Sequence, residues 1–161
     1  MSWTRRLVAL LWLLPAAVVA DSVDSVLVDK SDEKLYLLSD GEVIAEYSVA
    51  LGASPDGHKQ EQGDERTPEG EYVLDYKLAD SSYYKAIHIS YPNEADRAAA
   101  AERGVDPGGA IMIHGQRNGF GWLSLIAQRF DWTDGCIAVT NREMDEIWDL
   151  VSVPTPIEIR E

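Results

Sequence analysis

Ser25-Val26-Leu27-Val28-Asp29, Lys34-Leu35-Tyr36-Leu37-Leu38 and Glu42-Val43-Ile44-Ala45-Glu46-Tyr47-Ser48-Val49-Ala50 follow one another, with the polar turns Ser31-Asp32-Glu33 and Ser39-Asp40-Gly41 between them. The first two runs are apolar and rich in strand formers. In the third, Val43, Ala45, Tyr47 and Val49 alternate with Glu42, Ile44, Glu46 and Ser48, the period of two that half-buries a strand. The chain therefore opens as a β-meander.

Working outward, residues 52–69 are rich in Gly, Pro, Asp, Glu, Lys and Gln and read as a long loop. It ends in Thr67-Pro68-Glu69-Gly70, with Pro and Gly at the second and fourth positions of a turn. Tyr72, Leu74, Tyr76 and Leu78 then alternate with Val73, Asp75 and Lys77 as another strand, and residues 86–90 form a short one. Residues 94–103 are Ala-rich and helix-prone, with Gly104 as the stop. Asp106-Pro107-Gly108-Gly109 is a turn that feeds a strand over residues 110–114, while residues 118–129 stay open between helix and loop. Thr140-Asn141-Arg142-Glu143 is a capping box, and Met144, Ile147, Trp148 and Val151 follow at helical spacing. Pro154 and Pro156 end that helix, and residues 157–160 close the sheet. No repeat or second domain emerges. The expectation is one domain over residues 21–161, mostly β with two short helices.

The 161 residues hold 14 Lys and Arg against 28 Asp and Glu, a formal net charge of −14. Such a balance argues against a nucleic-acid partner and equally disfavours electrostatic docking onto anionic lipid. Residues 1–20 read as a secretory leader. Arg5 and Arg6 form the basic start, residues 7–14 the apolar stretch, and Val18-Val19-Ala20 the small-residue cleavage site. The apolar part is too short to span a bilayer. No Cys stands near the cleavage point to carry a lipid, so no membrane anchor is expected after cleavage. The product would be exported, to the periplasm or cell wall, with 12 basic and 28 acidic residues.

Export sharpens the meaning of Cys136, the single cysteine. Secreted chains pair their cysteines or avoid them, so a lone thiol is a candidate for reactivity, with an inert buried Cys as the alternative. Cys136 lies in Asp131-Trp132-Thr133-Asp134-Gly135-Cys136-Ile137, where Gly135 permits a tight turn. The amides of Gly135 and Cys136 could converge as oxyanion donors. A free thiol is only about 3% thiolate at neutral pH, so it needs a base. His114, ending a strand before Gly115, is the best placed of three histidines. His88 sits between Ile87 and Ile89, and His58 in the polar loop is expected to be solvated. No histidine pair has metal-ligand spacing and the acids are dispersed, so neither metal nor cofactor is expected.

His114-Gly115 followed by Thr133-Asp134-Gly135-Cys136-Ile137, with Arg66-Thr67-Pro68-Glu69-Gly70-Glu71-Tyr72 upstream, resembles the L,D-transpeptidase catalytic domain, the YkuD family. The resemblance covers about residues 25–159. It implies a β-sandwich or barrel catalytic domain acting on peptidoglycan stem peptides in the cell envelope. Cys136 would attack the amide carbonyl that follows the L-centre of meso-diaminopimelate. His114 would take the thiol proton and later activate the acceptor, which is an amine in transpeptidation and water in hydrolysis. Thr133, Asp134 and Gly115 would support the turn or orient His114, a role the family often gives to a backbone carbonyl. His88, Trp132 and Arg117 could line the substrate groove.

Two departures bear on direction. Asp134 stands where the commoner family form has His, and Ala138 where many members carry an Arg that handles the donor. The Thr-Asp-Gly-Cys form is similar to a subgroup in which a hydrolase could cut an existing diaminopimelate-linked amide, including one tethering a lipoprotein to the wall. Arg117, Arg129 or Arg142 could replace the missing charge. A papain-like peptidase would place Cys before His, and a sortase would carry a downstream Arg on a strand rather than Ile137-Ala138-Val139 and a capped helix. Outside enzymes, the competing reading is a wall-binding module with a buried, unreactive thiol.

Overall fold

The computed structural model describes residues 22–161, and the leader expected over residues 1–20 lies outside the described residues. The meander forms as expected, as β1 (Ser25–Asp29), β2 (Lys34–Ser39) and β3 (Glu42–Ser48). It is followed by β4 (Gly70–Ser81), β5 (Tyr84–Ile89), α1 (Glu94–Arg103) and β6 (Met112–His114). The remainder is α2 (Ser124–Ala127), β7 (Ile137–Ala138), α3 (Asn141–Leu150) and β8 (Thr155–Arg160).

The strands form one sheet in the order β3-β2-β1-β8-β4-β5-β6-β7. The last strand does not cap an edge. It enters the centre, parallel to β1 and antiparallel to β4. Its pattern explains the position: Thr155, Ile157 and Ile159 are buried while Pro156, Glu158 and Arg160 face out. Beyond β3 the chain reaches the opposite edge, where Ala50 and Ala138 exchange amide–carbonyl bonds of 2.9 and 2.8 Å. The sheet thus curls until its two margins touch, with a second bridge between Gly52 and Thr133.

Inside the curl, Val26, Val28, Leu35, Leu37, Leu74, Ile87, Ile89, Ile113, Ile137, Ile157 and Ile159 form a continuous apolar core. Each side chain of this size contributes about 1.5–3 kcal/mol when fully buried. α3 adds Met144 and Ile147, both fully buried, from the face its spacing marked out. The expected capping box is formed: the Glu143 amide donates to Thr140 Oγ1 at 3.3 Å, and the Thr140 amide to Glu143 Oε2 at 2.9 Å. α1 has a second box from Asn93 and Asp96 and ends at Gly104, whose φ of 69° is left-handed.

Among the described residues there are three α-helices rather than two. Part of the stretch left open in the sequence coils into a 3-10 turn (Gly121–Leu123) that runs into α2. The long loop is present but firmly held. Lys30 Nζ donates to Gly57 O at 2.8 Å and to Glu69 Oε1 at 2.6 Å. His58 is not solvated as expected: its Nδ1 accepts the Glu69 amide at 3.0 Å, and its Nε2 lies 3.2 Å from Asp96 Oδ1. None of the described helices is long and apolar enough to cross a membrane.

Candidate active site

β6 and β7 pair in parallel, Ile113 opposite Ile137 and His114 opposite Ala138. This pairing carries His114 at the end of one strand and Cys136 just before the other to one groove. Cys136 is partly exposed there, with its Sγ 3.7 Å from Ala110 O. Ala110 has a φ of 55°, left-handed backbone that a residue with a Cβ adopts at some cost, and so turns its carbonyl to the thiol.

The Cys136 turn is built on a side chain and a missing one. Thr133 Oγ1 donates to Cys136 O at 2.7 Å and accepts the Gly135 amide at 3.1 Å, closing the turn from inside. Gly135 has a φ of 118°, and a Cβ there would lie 2.5 Å from Arg66 O. Gly52 is packed as tightly, since a Cβ would sit 2.1 Å from Glu65 O. Its amide donates to the buried Thr67 Oγ1 at 3.0 Å, and Ala53 N to Thr133 O at 3.0 Å. The Thr-Pro turn and the Cys136 turn therefore brace each other across the long loop. One expectation changes: the Gly135 amide is spent on Thr133 rather than paired with the Cys136 amide toward the groove.

His114 Nδ1 lies 2.6 Å from Gly115 O. A carbonyl only accepts, so Nδ1 carries the proton and Nε2 keeps its lone pair. Burial pushes the imidazole below its ordinary value, against the pull of the Gly115 carbonyl. Burial likewise pushes the Cys136 thiol up; the Met112 amide and Lys59 work against that rise, and Asp134 adds to it. Near neutral pH the site therefore holds a neutral thiol and a neutral imidazole.

Around the pair, Leu78, Ser81, Tyr83, Ala110, Trp132 and Asp134 complete a groove of about 470 Å³. Tyr83 stands 4.7 Å from the His114 ring centre, and Trp132 at 5.9 Å meets that ring edge to face. The sequence reading missed Tyr83, whose signal was only an aromatic pair in Asp80-Ser81-Ser82-Tyr83-Tyr84. The hairpin tip bearing it is tied down by Asn118. Asn118 Oδ1 accepts the Tyr84 amide at 2.9 Å, Nδ2 donates to Ser81 O at 3.0 Å, and its own amide donates to Ser82 O at 3.0 Å.

The other candidates are dispersed. His88 is outside the groove, with Nδ1 2.7 Å from Asp75 Oδ1 and its ring stacked on Tyr76. Arg117 lies over Phe120 in a neighbouring cleft that shares Trp132. Arg142 points to solvent beside Glu146, and Arg129 is exposed. Gly115 is needed for packing, since a Cβ would come 2.8 Å from Asn141 Oδ1. Among the described residues, no three His, Cys, Asp or Glu side chains gather to hold a metal ion.

The family model for the L,D-transpeptidase catalytic domain, YkuD, matches residues 24–159. YafK of Escherichia coli (strain K12), provisionally named an L,D-transpeptidase, is 39% identical over 119 residues, 73% of this chain and 39% of its own length. The crystal structure of Pgp2 from Campylobacter jejuni, a helical cell shape determining protein, superposes with a TM-score of 0.65 at 29% identity, covering 88% of this chain and 48% of that one. An L,D-transpeptidase from Xylanimonas cellulosilytica shares the fold with a TM-score of 0.56 at 17% identity, covering 88% of this chain and 62% of that one. The chain spans less than half the length of YafK and of Pgp2.

Proposed function

Because this chain belongs to the L,D-transpeptidase catalytic domain family, we propose that it acts on peptidoglycan stem peptides with Cys136 as nucleophile and His114 as general base. The observation that carries the reading is the tautomer. With Nδ1 bound to the Gly115 carbonyl, His114 presents a basic Nε2 in the groove that also exposes the thiol. Sγ attacks the amide carbonyl that follows the L-centre of diaminopimelate as the thiol proton passes to Nε2. The C–N bond then breaks, the departing amine takes that proton, and a thioester remains on Cys136. An acceptor amine or water gives its proton to Nε2, attacks the thioester and restores the thiol. The Cys136 amide is the donor we assign to the developing oxyanion, and Tyr83 and Trp132 wall the groove. The partly exposed thiol disfavours the wall-binding alternative.

A second reading rests on Ala138. It is fully buried at the sheet closure, while Arg117 lies over Phe120, Arg142 stands beside Glu146 and Arg129 is exposed. A groove without that fixed cation suits an internal amide better than a donor bearing a free terminal carboxylate. Cleavage of existing crosslinks, or of a wall-linked lipoprotein, is therefore the alternative direction. Both readings place the protein in the periplasm or cell wall, with residues 1–20 as its export signal.

Mass spectrometry of digested peptidoglycan, after incubation with the purified chain or Cys136→Ala, tests the proposal. New diaminopimelate-to-diaminopimelate links with the first protein alone mark transpeptidation. Loss of crosslinks or bound lipoprotein, without new links, marks hydrolysis. Identical digests on walls that contain both substrates overturn the assignment of Cys136.

A further inference from the structure

The segment joining the two strands of the site has an unusual outer surface. Phe120, Trp122, Leu125, Ile126 and Phe130 are 49%, 78%, 79%, 60% and 67% exposed, five large apolar side chains within eleven residues. Trp122, Leu125 and Ile126 stand at i, i+3 and i+4 across the 3-10 turn and α2, and so share a face. The inner side of the segment is anchored. Gln128 Nε2 donates to Ala138 O at 3.0 Å, and Asn141 fills the space where Gly121 lacks a Cβ. The apolar face is therefore held outward by a fixed underside.

Charge distinguishes this face from the rest of the molecule. Between Asp106 and Asp131 the chain has no carboxylate, although it carries 28 in all. The charged residues in that interval are Arg117 and Arg129, both exposed and flanking the apolar cluster. Asp131, next along the chain, is half-buried and accepts the Leu51 amide at 2.6 Å. Indole and aliphatic side chains bordered by guanidinium groups match the boundary of an anionic bilayer, where rings and aliphatic groups enter the acyl margin and arginines meet phosphates. The acidic remainder opposes approach only over long range, because charges beyond about 8 Å are largely screened at physiological salt. A second copy of this chain is a poorer fit, since each would bring a net charge of −14.

We infer that the 120–130 segment docks peripherally on an anionic lipid surface and so holds the groove beside Trp132 close to the membrane. Docking does not depend on the reaction proposed for Cys136. Flotation with vesicles of phosphatidylethanolamine and phosphatidylglycerol, against vesicles of phosphatidylcholine alone, tests it. The chain and its Cys136→Ala variant should float equally with the anionic vesicles. Combining Trp122→Ser, Leu125→Ser and Ile126→Ser, at positions already in water, should weaken flotation about tenfold or more with an unchanged melting temperature. Combining Arg117→Gln and Arg129→Gln should cost roughly 30-fold on anionic vesicles and little on zwitterionic ones. No flotation, or flotation that the triple variant leaves intact, overturns the inference. So does equal binding to both vesicle types. A concentration-dependent dimer that the triple variant abolishes, without lipid binding, would instead mark the face as a contact between copies.

Discussion

The α-carbon of Gly135 lies so close to the Arg66 carbonyl that a Cβ would approach the oxygen to 2.5 Å. That contact joins the Cys136 turn to the Arg66-Thr67-Pro68 stretch, whose Thr67 in turn holds Gly52. Relief would require movement of backbone, because the obstructing atom belongs to no flexible side chain. The glycine also sits at a φ of 118°, outside the range that residues with a Cβ readily adopt. Gly135→Ala should therefore destabilise the fold by about 2–4 kcal/mol and displace the thiol. A melting temperature within 2 °C of the parent, by the roughly 3–6 °C per kcal/mol of a domain this size, would contradict this account, as would parental turnover.

The electrostatics of Cys136 and His114 predict two separable pH profiles. Burial raises the thiol and lowers the imidazole, so thiolate forms only above the ordinary thiol range near 8.5. Alkylation of Cys136 by iodoacetamide, without substrate, should rise above pH 8.5 and show no step between pH 5 and 7. Under the proposed mechanism turnover behaves differently, since His114 must be neutral to accept the thiol proton. It should increase as pH rises through a value below the usual 6.5 of histidine and then remain level through neutrality. His114→Ala should lower turnover by about 10²–10⁴-fold while the alkylation curve stays in place. Fast alkylation at pH 6 that His114→Ala abolishes would reveal a preformed thiolate–imidazolium pair instead.

Acid stability should depend on Asp64. Burial opposes its ionisation, but the Gln60 amide at 2.7 Å, the Lys59 ammonium at 2.7 Å and the amides of Glu61 and Arg66 prevail. They hold the carboxyl down at about 2, against 3.8 for an unperturbed Asp. A folded-state value below the unfolded one means that the stabilisation is complete above about pH 4 and is lost as pH falls from there through about 2. Asp64→Asn should lower the melting temperature by about 3–8 °C at pH 7. The gap from the parent should stay constant down to pH 5 and close below pH 4. A gap that persists at pH 2 would mean that the variant acts through geometry rather than charge.

What the sequence disclosed, and what it withheld, divides by range. Thr140 and Glu143 announce α3 because a capping box is complete within four residues, and Met144, Ile147 and Val151 mark its buried side. Cys136 and His114 stood out as candidates because lone thiols and strand-end histidines beside glycine are chemically conspicuous. The central position of β8 was not: its alternation identifies a strand, but nothing local distinguishes an edge from a place between β1 and β4. His58 looked solvated because its polar neighbours in sequence conceal Asp96, reached through α1. Thr133 was identified as a turn-shaping residue, yet its capture of the Gly135 amide depends on the turn's three-dimensional closure.

Tyr83 and Asn118 were hidden for the same reason, and they give the last prediction. Asn118 ties the hairpin tip through two side-chain bonds and one amide bond, and the tip sets Tyr83 against the His114 ring. Tyr84, beside it, has a φ of 67°, so the tip is held in a conformation it would readily leave once untied. Tyr83→Ala removes the wall and leaves the tether. It should cut kcat/KM about 10- to 100-fold with the melting temperature within about 3 °C of the parent. Asn118→Ala removes the tether and leaves the wall side chain, so KM should rise several-fold while kcat falls less. Asn118→Asp keeps the acceptor for the Tyr84 amide but loses the donor to Ser81 O, and should lie between the two. If Asn118→Ala instead lowers kcat alone with KM unchanged, the hairpin does not position substrate, and Tyr83 serves the imidazole rather than the groove.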